Sequence, residues 1–514
     1  MAILGSLLKQ TLTLSKTIES INPVHEKPHR VQRRVLKKLL KKAQFTGFGL
    51  TYNFENIINA RHPVKEFQRT VPVHDYDSMY AKWWYKMVEK EEVNICWPTA
   101  IKYYALSSGT SGAPSKYIPV SPEQIRKIRR AVLGSLLSLR NYDLPAATFS
   151  KGVLTIGGST DLTQERNYYK GDLSGITIGN LPFWIQRYKT IPTEISNEKN
   201  WAAKIEKIIE AAPTWDIGIV CGVPAWIQLI FEKIIERYNL TTIHDLWPNL
   251  KVFIHGGVAF EPYRKSFERL ISQPLVYVDT YLASEGFIAY TARPDGQGMR
   301  LVLNNGMFYE FVPFNDKNFD DEGKMIEKPE TLYLNEVQEK VEYALLITTS
   351  SGAWRYLIGD TVKFTNVEKC EIIITGRTKH FLSMCGEHLS VDNMNTAVTK
   401  LSNTLNISIP EYTVIGTNED GKFYHDWYIG TNDVVTDVAQ VKHIIDTTLC
   451  EVNDDYITER QHALKDIRIH LIPTTIFYDW MRKNGKEGGQ HKVPRVIKGA
   501  QQKDWQHYVN EQTK

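Results

Sequence analysis

Apolar positions recur at helical spacing early in the chain and give way to strand-like runs after residue 100. Val31, Val35, Leu36, Leu39 and Leu40 fall at i, i+4, i+5, i+8 and i+9, one apolar stripe on an otherwise charged helix. Upstream, Leu4, Leu7, Leu8, Leu12, Leu14, Ile18 and Ile21 repeat in a similar way and predict a surface helix. Residues 101–106 (IKYYAL) read as a strand running into a Gly/Ser loop. Ser121-Pro122-Glu123-Gln124 then carries a helix start: an N-cap hydroxyl, Pro in the first turn and Gln at the capping-box position. Apolar runs at 153–158 (VLTIGG), 215–224 (WDIGIVCGVP), 251–257 (KVFIHGG) and 275–282 (LVYVDTYL) predict buried strands between helices, which is α/β layering.

The pattern changes after residue 300. VLNNGMFYEFVP, TLYLNEV, EYALLITTSS, RYLIGDTVKFTN and EIIITG are closely spaced strand-like runs and predict a β-rich, barrel-like subdomain. Beyond a polar Gly-containing stretch come a helix at 390–405, a hairpin around 418–421 and a long helix at 438–452. The expected fold class is α/β. A large N-terminal domain (residues 1–376) holds α/β sheets and the barrel-like part, and a smaller, mobile α+β domain occupies 377–514.

Composition narrows the classes. The 514 residues carry 62 Lys and Arg against 58 Asp and Glu, a net charge of +4. Eight of those cations lie between residues 27 and 42 with no acid among them, and the remainder of the chain is slightly acidic. That balance excludes a cationic nucleic-acid coat, and the bland reading of the basic run is a solvated helix face. Five cysteines, an odd number with no CxxC pair, point to reduced thiols in a cytoplasm and away from a zinc knuckle. No apolar run approaches the roughly 18–20 residues that span a bilayer, and the N-terminus lacks the basic start and cleavage site of a signal peptide. A cytoplasmic monomer without membrane insertion or nucleic-acid partner is expected.

Five loops could carry chemistry, one of them, GRTKHFLSMCGEHLS (Gly376 to Ser390), lying at the domain boundary. SSGTSGAPSK, Ser107 to Lys116, offers backbone N–H groups and small hydroxyls that can wrap phosphate oxygens, although it is no Walker A loop. It also has a trace of a serine-hydrolase elbow, but Ala113 stands where GxSxG needs glycine. YLASEG places Glu285 after an apolar strand, where a hard carboxylate suits magnesium beside phosphates. YLIGD ends in Asp360, a carboxylate able to accept ribose hydroxyls. GGQHKVPRV carries a late Lys492 in a Gly-rich loop.

The order of these loops, with Gly376-Arg377 between the third and the last, resembles the acyl-adenylate-forming superfamily. Within it, the motifs are most similar to those of the Gretchen Hagen acyl acid amido synthetases, the auxin-responsive plant family and its bacterial relatives. There the loops read close to SSGTSxGxxK, YxxSEG and YRxGD; here Leu357 replaces the usual Arg. The resemblance implies ATP-dependent activation of a carboxylic acid as an acyl adenylate, then transfer to the amine of an amino acid. It implies that Ser107, Ser108, Gly109, Thr110 and Ser111 hold phosphates with Lys116 in support, and that Gly256 and Gly257 lie beneath the adenine with Tyr281 packed on its face. It further implies that Ser284 meets the α-phosphate or the acyl carboxylate, that Glu285 holds magnesium, and that Asp360 binds the ribose with help from Arg377. Lys379 falls at the superfamily's hinge position, and Lys492 matches the late lysine of adenylation. The competing readings are an acyl-CoA ligase using the same first step and an inactive homologue acting as a binding module.

Overall fold

The computed structural model describes residues 26–513 other than 108–115, 158–159, 181–189, 321–322, 379–381, 383–386, 388, 420–421, 463 and 487–491. The predicted helix within residues 1–21, loop positions Ser108, Gly109, Thr110 and Ser111, and also Lys379 and Cys385, lie outside the described residues.

Helix α1 (Pro28–Ala43) forms where the apolar stripe predicts it. Val31, Val35, Leu36, Leu39 and Leu40 are all buried, and the eight cations between 27 and 42 are exposed. Gln32, fully buried on the same face, fixes the helix to the sheet beneath. Its Nε2 donates to the carbonyls of Leu303 (2.7 Å) and Met307 (3.0 Å), and its Oε1 accepts from the Tyr309 amide (2.8 Å).

The hydroxyl-rich loop joins two strands, where the sequence suggested a strand and a helix. β1 (Tyr103–Ser107) and β2 (Lys116–Val120) pair antiparallel with Ser107 opposite Lys116. Ile118 and Val120 turn inward to the core, and their burial makes KYIPV a strand before the helix begins. Helix α2 (Pro122–Ser138) follows, with Ser121 Oγ accepting from the Gln124 amide at 3.0 Å as an N-cap. β3 (Gly152–Thr155) comes next, then β4 (Thr163–Glu165) and β5 (Tyr168–Gly171); the last two complete a four-stranded sheet in the order β2-β1-β5-β4.

Helix α3 (Trp201–Ala211), β6 (Ile217–Gly222), helix α4 (Pro224–Tyr238), β7 (Val252–Gly256), helix α5 (Glu261–Leu270) and β8 (Val276–Ala283) supply the α/β layering. β3, β6, β7 and β8 are parallel neighbours. The chain then reverses into β9 (Gly286–Tyr290), β10 (Met299–Leu301), β11 (Met307–Pro313), β12 (Glu342–Thr349), β13 (Tyr356–Asn366) and β14 (Glu371–Arg377), all antiparallel to their partners. These join the parallel half in one ten-stranded ladder, β11-β12-β13-β14-β10-β9-β8-β7-β6-β3.

The ladder is strongly curled. Tyr281 in β8 hydrogen-bonds Asp360 in β13 (2.6 Å), although four ladder steps separate these strands. A flat sheet would hold them roughly 19 Å apart, well beyond a tyrosine's reach. TLYLNEV departs from the expected pattern: apart from a single bridge between Leu332 and Phe311 it is not a strand. It turns instead, with the Glu336 amide bonded to the Tyr333 carbonyl and the Tyr333 amide to the Glu336 carboxylate. Tyr333 and Leu334 pack into the core that also holds α1.

After β14 the chain builds a separate sheet. Helix α6 (Val391–Leu405), β15 (Glu411–Glu419), β16 (Lys422–Gly430), helix α7 (Val438–Val452), β17 (Leu464–Ile472), helix α8 (Thr474–Lys483), β18 (Val496–Ile497) and helix α9 (Ala500–Gln512) form a four-stranded sheet, β17-β16-β15-β18, with its helices. The expected hairpin is present, with Glu419 opposite Lys422. No described helix is long and apolar enough to cross a membrane.

Candidate active site

The site gathers at the turn from β8 to β9, where the parallel half of the sheet becomes antiparallel. Gly286 opens β9 at φ +144°, and a Cβ there would sit 2.5 Å from Gln124 Nε2. That space lets Gln124 reach the turn: its Nε2 donates to the Glu285 carbonyl (3.2 Å), and its Oε1 accepts from Ser350 Oγ (2.5 Å). Ser121 Oγ donates to the Ser350 carbonyl (2.6 Å). The side chain expected to close a capping box at the head of α2 instead positions the backbone of Glu285.

Asp360 is placed by register. It faces Arg377 across β13 and β14, and Arg377 Nε donates to its Oδ1 at 2.9 Å. Its Oδ2 accepts from the Tyr281 hydroxyl. Both carboxylate oxygens keep a lone pair for a further donor. Tyr281 is buried in the core with its hydroxyl committed to Asp360, and burial with that neighbouring carboxylate pushes its phenol well above the ordinary range.

Glu285 lies between these groups, and its side chain bonds to buried Tyr356. Desolvation, reinforced by the Asp360 charge, pushes its carboxyl up to about 7, although Arg377 and Lys116 pull the other way. Lys492 comes from the other sheet's unit. Its Nζ donates to the Gly257 carbonyl. Gly257 has φ +87°, and a Cβ there would lie 3.0 Å from that ammonium. The Lys492 side chain is exposed to solvent, yet the protein packed around its ammonium and the Arg377 charge bring its pKa down to about 8, against a favourable pull from Asp360. The cluster thus holds two groups, an acid and an ammonium, displaced toward neutral pH from opposite directions. Such displacement is common where charge must be rearranged.

The structure therefore brings Tyr281, Glu285, Asp360, Arg377 and Lys492 into one electrostatic neighbourhood, with Lys116 within range of Glu285. Ser284 sits in the same turn, and Gly256 ends β7 beside Gly257. Ser107 closes β1 opposite Lys116. His255 is buried and stacks on Phe260 (4.6 Å between rings, 24° apart). Sequence reasoning missed Gln124 and Tyr356. A polar residue three places after an N-cap is read as a cap, and a Tyr at a strand start is read as core. The four described cysteines, Cys96, Cys221, Cys370 and Cys450, are free. Burial pushes the thiols of Cys221 and Cys370 up to about 12, so neither is a ready nucleophile.

Residues 17–165 and 159–275 match the GH3 family N-terminal domain, 300–376 its central domain and 392–501 its C-terminal domain. The chain belongs to the GH3 family. Its curated relatives include the indole-3-acetic acid-amido synthetase GH3.4 of Arabidopsis thaliana, 21% identical over 94% of this chain and 91% of that protein. Another is the jasmonoyl-L-amino acid synthetase JAR4 of Nicotiana attenuata, 24% identical over 53% of this chain and 49% of that protein. Among solved structures, the GH3.15 acyl acid amido synthetase superposes with a TM-score of 0.76 at 14% identity, covering 98% of this chain and 96% of that one. A 2-hydroxyisobutyryl-CoA ligase superposes with a TM-score of 0.59 at 12% identity over 94% and 91%. The GH3 fold is thus present along nearly the whole chain, parallel half, curled antiparallel half and C-terminal sheet alike.

Proposed function

We propose that this GH3 chain activates a carboxylic acid with ATP as an acyl adenylate and transfers the acyl group to the amine of an amino acid. The observation that carries the reading is the cluster around Asp360, with Arg377 and Tyr281 fixing its two oxygens and Lys492 reaching in across Gly257. In this reading residues 1–376 are the adenylating domain and 377–514 its cap, with β14 of the large sheet running on through Arg377.

The first barrier is charge repulsion. A carboxylate must approach the α-phosphate of a polyanion, and the in-line transition state carries still more negative charge. Lys492 answers it as a cation stationed at the edge of the site, with Lys116 adding charge from the start of β2. Asp360 offers its free lone pairs to the ribose hydroxyls, held in position by Arg377 and Tyr281. Ser107, Ser108, Gly109, Thr110 and Ser111 are the loop proposed to bind the phosphates, Gly256 and Gly257 the floor beneath the adenine, and Ser284 the contact to the α-phosphate or the acyl carboxylate.

Magnesium suits the donor chemistry at Glu285, a hard carboxylate oxygen left short of counter-charge by its burial. Among the described residues no group of three or more His, Cys, Asp or Glu is gathered to hold a metal, so Glu285 would hold it together with the nucleotide's own oxygens. When bound, the ion would neutralise phosphate charge. The second step is attack by an amine on a mixed anhydride whose phosphate leaving group is already good, and it requires no nucleophilic side chain.

The test is ATP–pyrophosphate exchange across a panel of carboxylic acids, followed by product analysis with amino acids or CoA. Exchange with at least one acid and an amide product are expected. Exchange followed by a thioester alone would replace this reading with that of an acyl-CoA ligase.

A further inference from the structure

Lys116, one of the charges that act on Glu285, is gripped by a residue outside all five loops. β2 is the edge of its four-stranded sheet, and an edge strand leaves backbone groups facing away from the ladder. There the Tyr117 amide donates to the Tyr76 hydroxyl at 3.0 Å. The ring of the same tyrosine faces the adjacent residue, with the Lys116 ammonium 5.2 Å from its centre. An ammonium over an aromatic face is attracted by the ring's quadrupole. One side chain thus holds both the backbone and the charge at the start of β2. A tyrosine that served packing alone would need neither contact.

Tyr76 is itself fixed. It opens a helical run through Tyr76–Met79, Tyr80–Trp84 and Tyr85–Val88. Asp75 and Ser78 close a capping box at its head: the Ser78 amide donates to Asp75 Oδ1 (2.9 Å) and the Asp75 amide to Ser78 Oγ (3.0 Å). Tyr80 stacks on Tyr76, with 5.5 Å between centres and 27° between planes. Trp84, fully buried, meets Tyr76 edge-on at 6.0 Å. On its other side Trp84 lies 5.4 Å from the ring of Tyr356, whose hydroxyl bonds to Glu285. Tyr80–Trp84 has π-helical geometry, a form that recurs at functional sites. The rings of Tyr76, Trp84 and Tyr356 therefore run as one packed wall from the Lys116 ammonium to the Glu285 carboxyl.

We propose that Tyr76 is a positioning residue for nucleotide binding: it holds the Lys116 ammonium in register with Glu285, so that cation and acid address the same polyphosphate. The inference rests on the reading above in which this site takes ATP. A lysine carries its charge on a flexible four-carbon stem, and ordering that stem on binding costs affinity. The Tyr76 ring does part of the ordering in advance. Its hydroxyl does the same for the backbone from which Lys116 projects.

The experiment measures the Kd of ATP by equilibrium dialysis, a readout independent of turnover. It also measures the KM of ATP in pyrophosphate exchange with phenylacetate, benzoate and indole-3-acetate. The proteins are full-length wild type, Tyr76→Phe, Tyr76→Leu, Lys116→Ala, and Lys116→Ala combined with each tyrosine change. Tyr76→Leu removes ring and hydroxyl and is expected to raise both constants about five- to tenfold. Tyr76→Phe keeps the ring and the packing, and is expected to raise them about two- to threefold; it carries the comparison if Tyr76→Leu does not fold. In the Lys116→Ala background neither tyrosine change should weaken ATP binding further, because a residue acting through Lys116 has nothing left to place. The same fold-loss with and without Lys116 overturns the inference, since it would show a role in packing alone. So does an unchanged Kd in both tyrosine variants. If the wild type binds ATP yet exchanges with no acid, the adenylation reading falls and the Kd comparison still decides this inference. A wild type that binds no ATP overturns both.

Discussion

Two clusters of charge, one wholly buried and one partly open to solvent, differ in almost every respect. The first is Arg355 with Glu310. Arg355 Nε donates to both Glu310 oxygens (3.1 and 3.2 Å), Nη1 to the carbonyls of Gln68 (2.8 Å) and Val71 (2.6 Å), and Nη2 to Thr331 Oγ1 (2.8 Å). Glu310 also accepts from Gln68 Nε2 at 3.2 Å. All of the guanidinium is used, and both side chains are almost wholly buried. The second is Glu285, Asp360 and Lys492, drawn from three distant parts of the chain and more open to solvent: Asp360 is buried, Glu285 half-buried and Lys492 exposed, and Glu285 and Lys492 have no ion-pair partner among the described residues. Glu285 is held up at about 7 and Lys492 down at about 8. A saturated cluster fixes the fold, since nothing can be added to it. An unsaturated one is destabilising until a ligand supplies the missing charge, and that is the signature of a site.

Breaking the saturated cluster should give the largest stability change. Arg355→Met strands the Glu310 carboxylate in the core and leaves two backbone carbonyls without donors. A loss of about 3–5 kcal/mol is expected, read from urea or thermal unfolding. Breaking the unsaturated cluster should do the opposite. Lys492→Ala should lower ATP–pyrophosphate exchange on the order of 100-fold or more, because a placed charge is lost from the transition state. Its melting temperature should stay within a degree or two of wild type, since removing an ammonium that burial already disfavours costs the folded state little. Were Lys492→Ala to unfold the protein while Arg355→Met left it intact, the contrast would be reversed.

The sequence reveals these clusters unequally. Asp360, Arg377, Glu285 and Lys492 stand in short motifs whose order resembles that of the acyl-adenylate-forming enzymes, and α1 is legible because burial on one face imposes its period. The bond between Tyr281 and Asp360 is not legible. It depends on the curl of a sheet across four ladder steps, a property of the whole ladder and of no single strand. Gln124 misleads for a related reason: its local role as a cap is displaced by a partner 161 residues away. The Arg355–Glu310 pair joins β11 to the chain just before β13, and Arg355 itself adopts φ +44°, which its neighbours in sequence do not announce. TLYLNEV has strand composition but spends its apolar residues on packing.

The unsaturated cluster has a pH signature. In the unfolded chain Glu285 releases its proton near the ordinary carboxylate range; in the folded chain it holds the proton to about pH 7. The folded state thus binds more protons between these limits, so stability falls as pH rises through the window, and the full cost is present above it. Glu285→Gln removes the cost. At pH 8 the ligand-free variant should be more stable than wild type by about 2 kcal/mol, allowing for the acid's partial exposure, and at pH 4.5 the two should melt together. Magnesium with ATP should narrow the gap at pH 8 by giving the wild-type carboxylate its counter-charge. A gap of equal size at both pH values would show that Glu285 is not the titrating group.

The exposed face of α1 supplies the control for both clusters, and the smallest effect. Eight cations crowd positions 27–42, yet the ion pairs seen there are Arg34 with Glu26 (2.6 Å) and Lys42 with Glu123 (2.5 Å). The excess charge reaches α2: the Lys127 ammonium is pulled down by burial and then by Arg130, Lys38 and Arg126. Lys38→Glu places an acid four residues before Lys42 and four after Arg34, relieving repulsion on one helix face. Pairs of this kind are worth about 0.2–0.5 kcal/mol each and weaken with salt. A stabilisation of a few tenths of a kcal/mol at low ionic strength is expected, gone by about 1 M salt, with pyrophosphate exchange unchanged. Solvated charges sit in water whatever the fold does, so reversing one costs little. If the exchange rate instead fell with Lys38→Glu, the basic face would belong with the unsaturated cluster, and the division between charges that hold the fold and charges that do the chemistry would have to be redrawn.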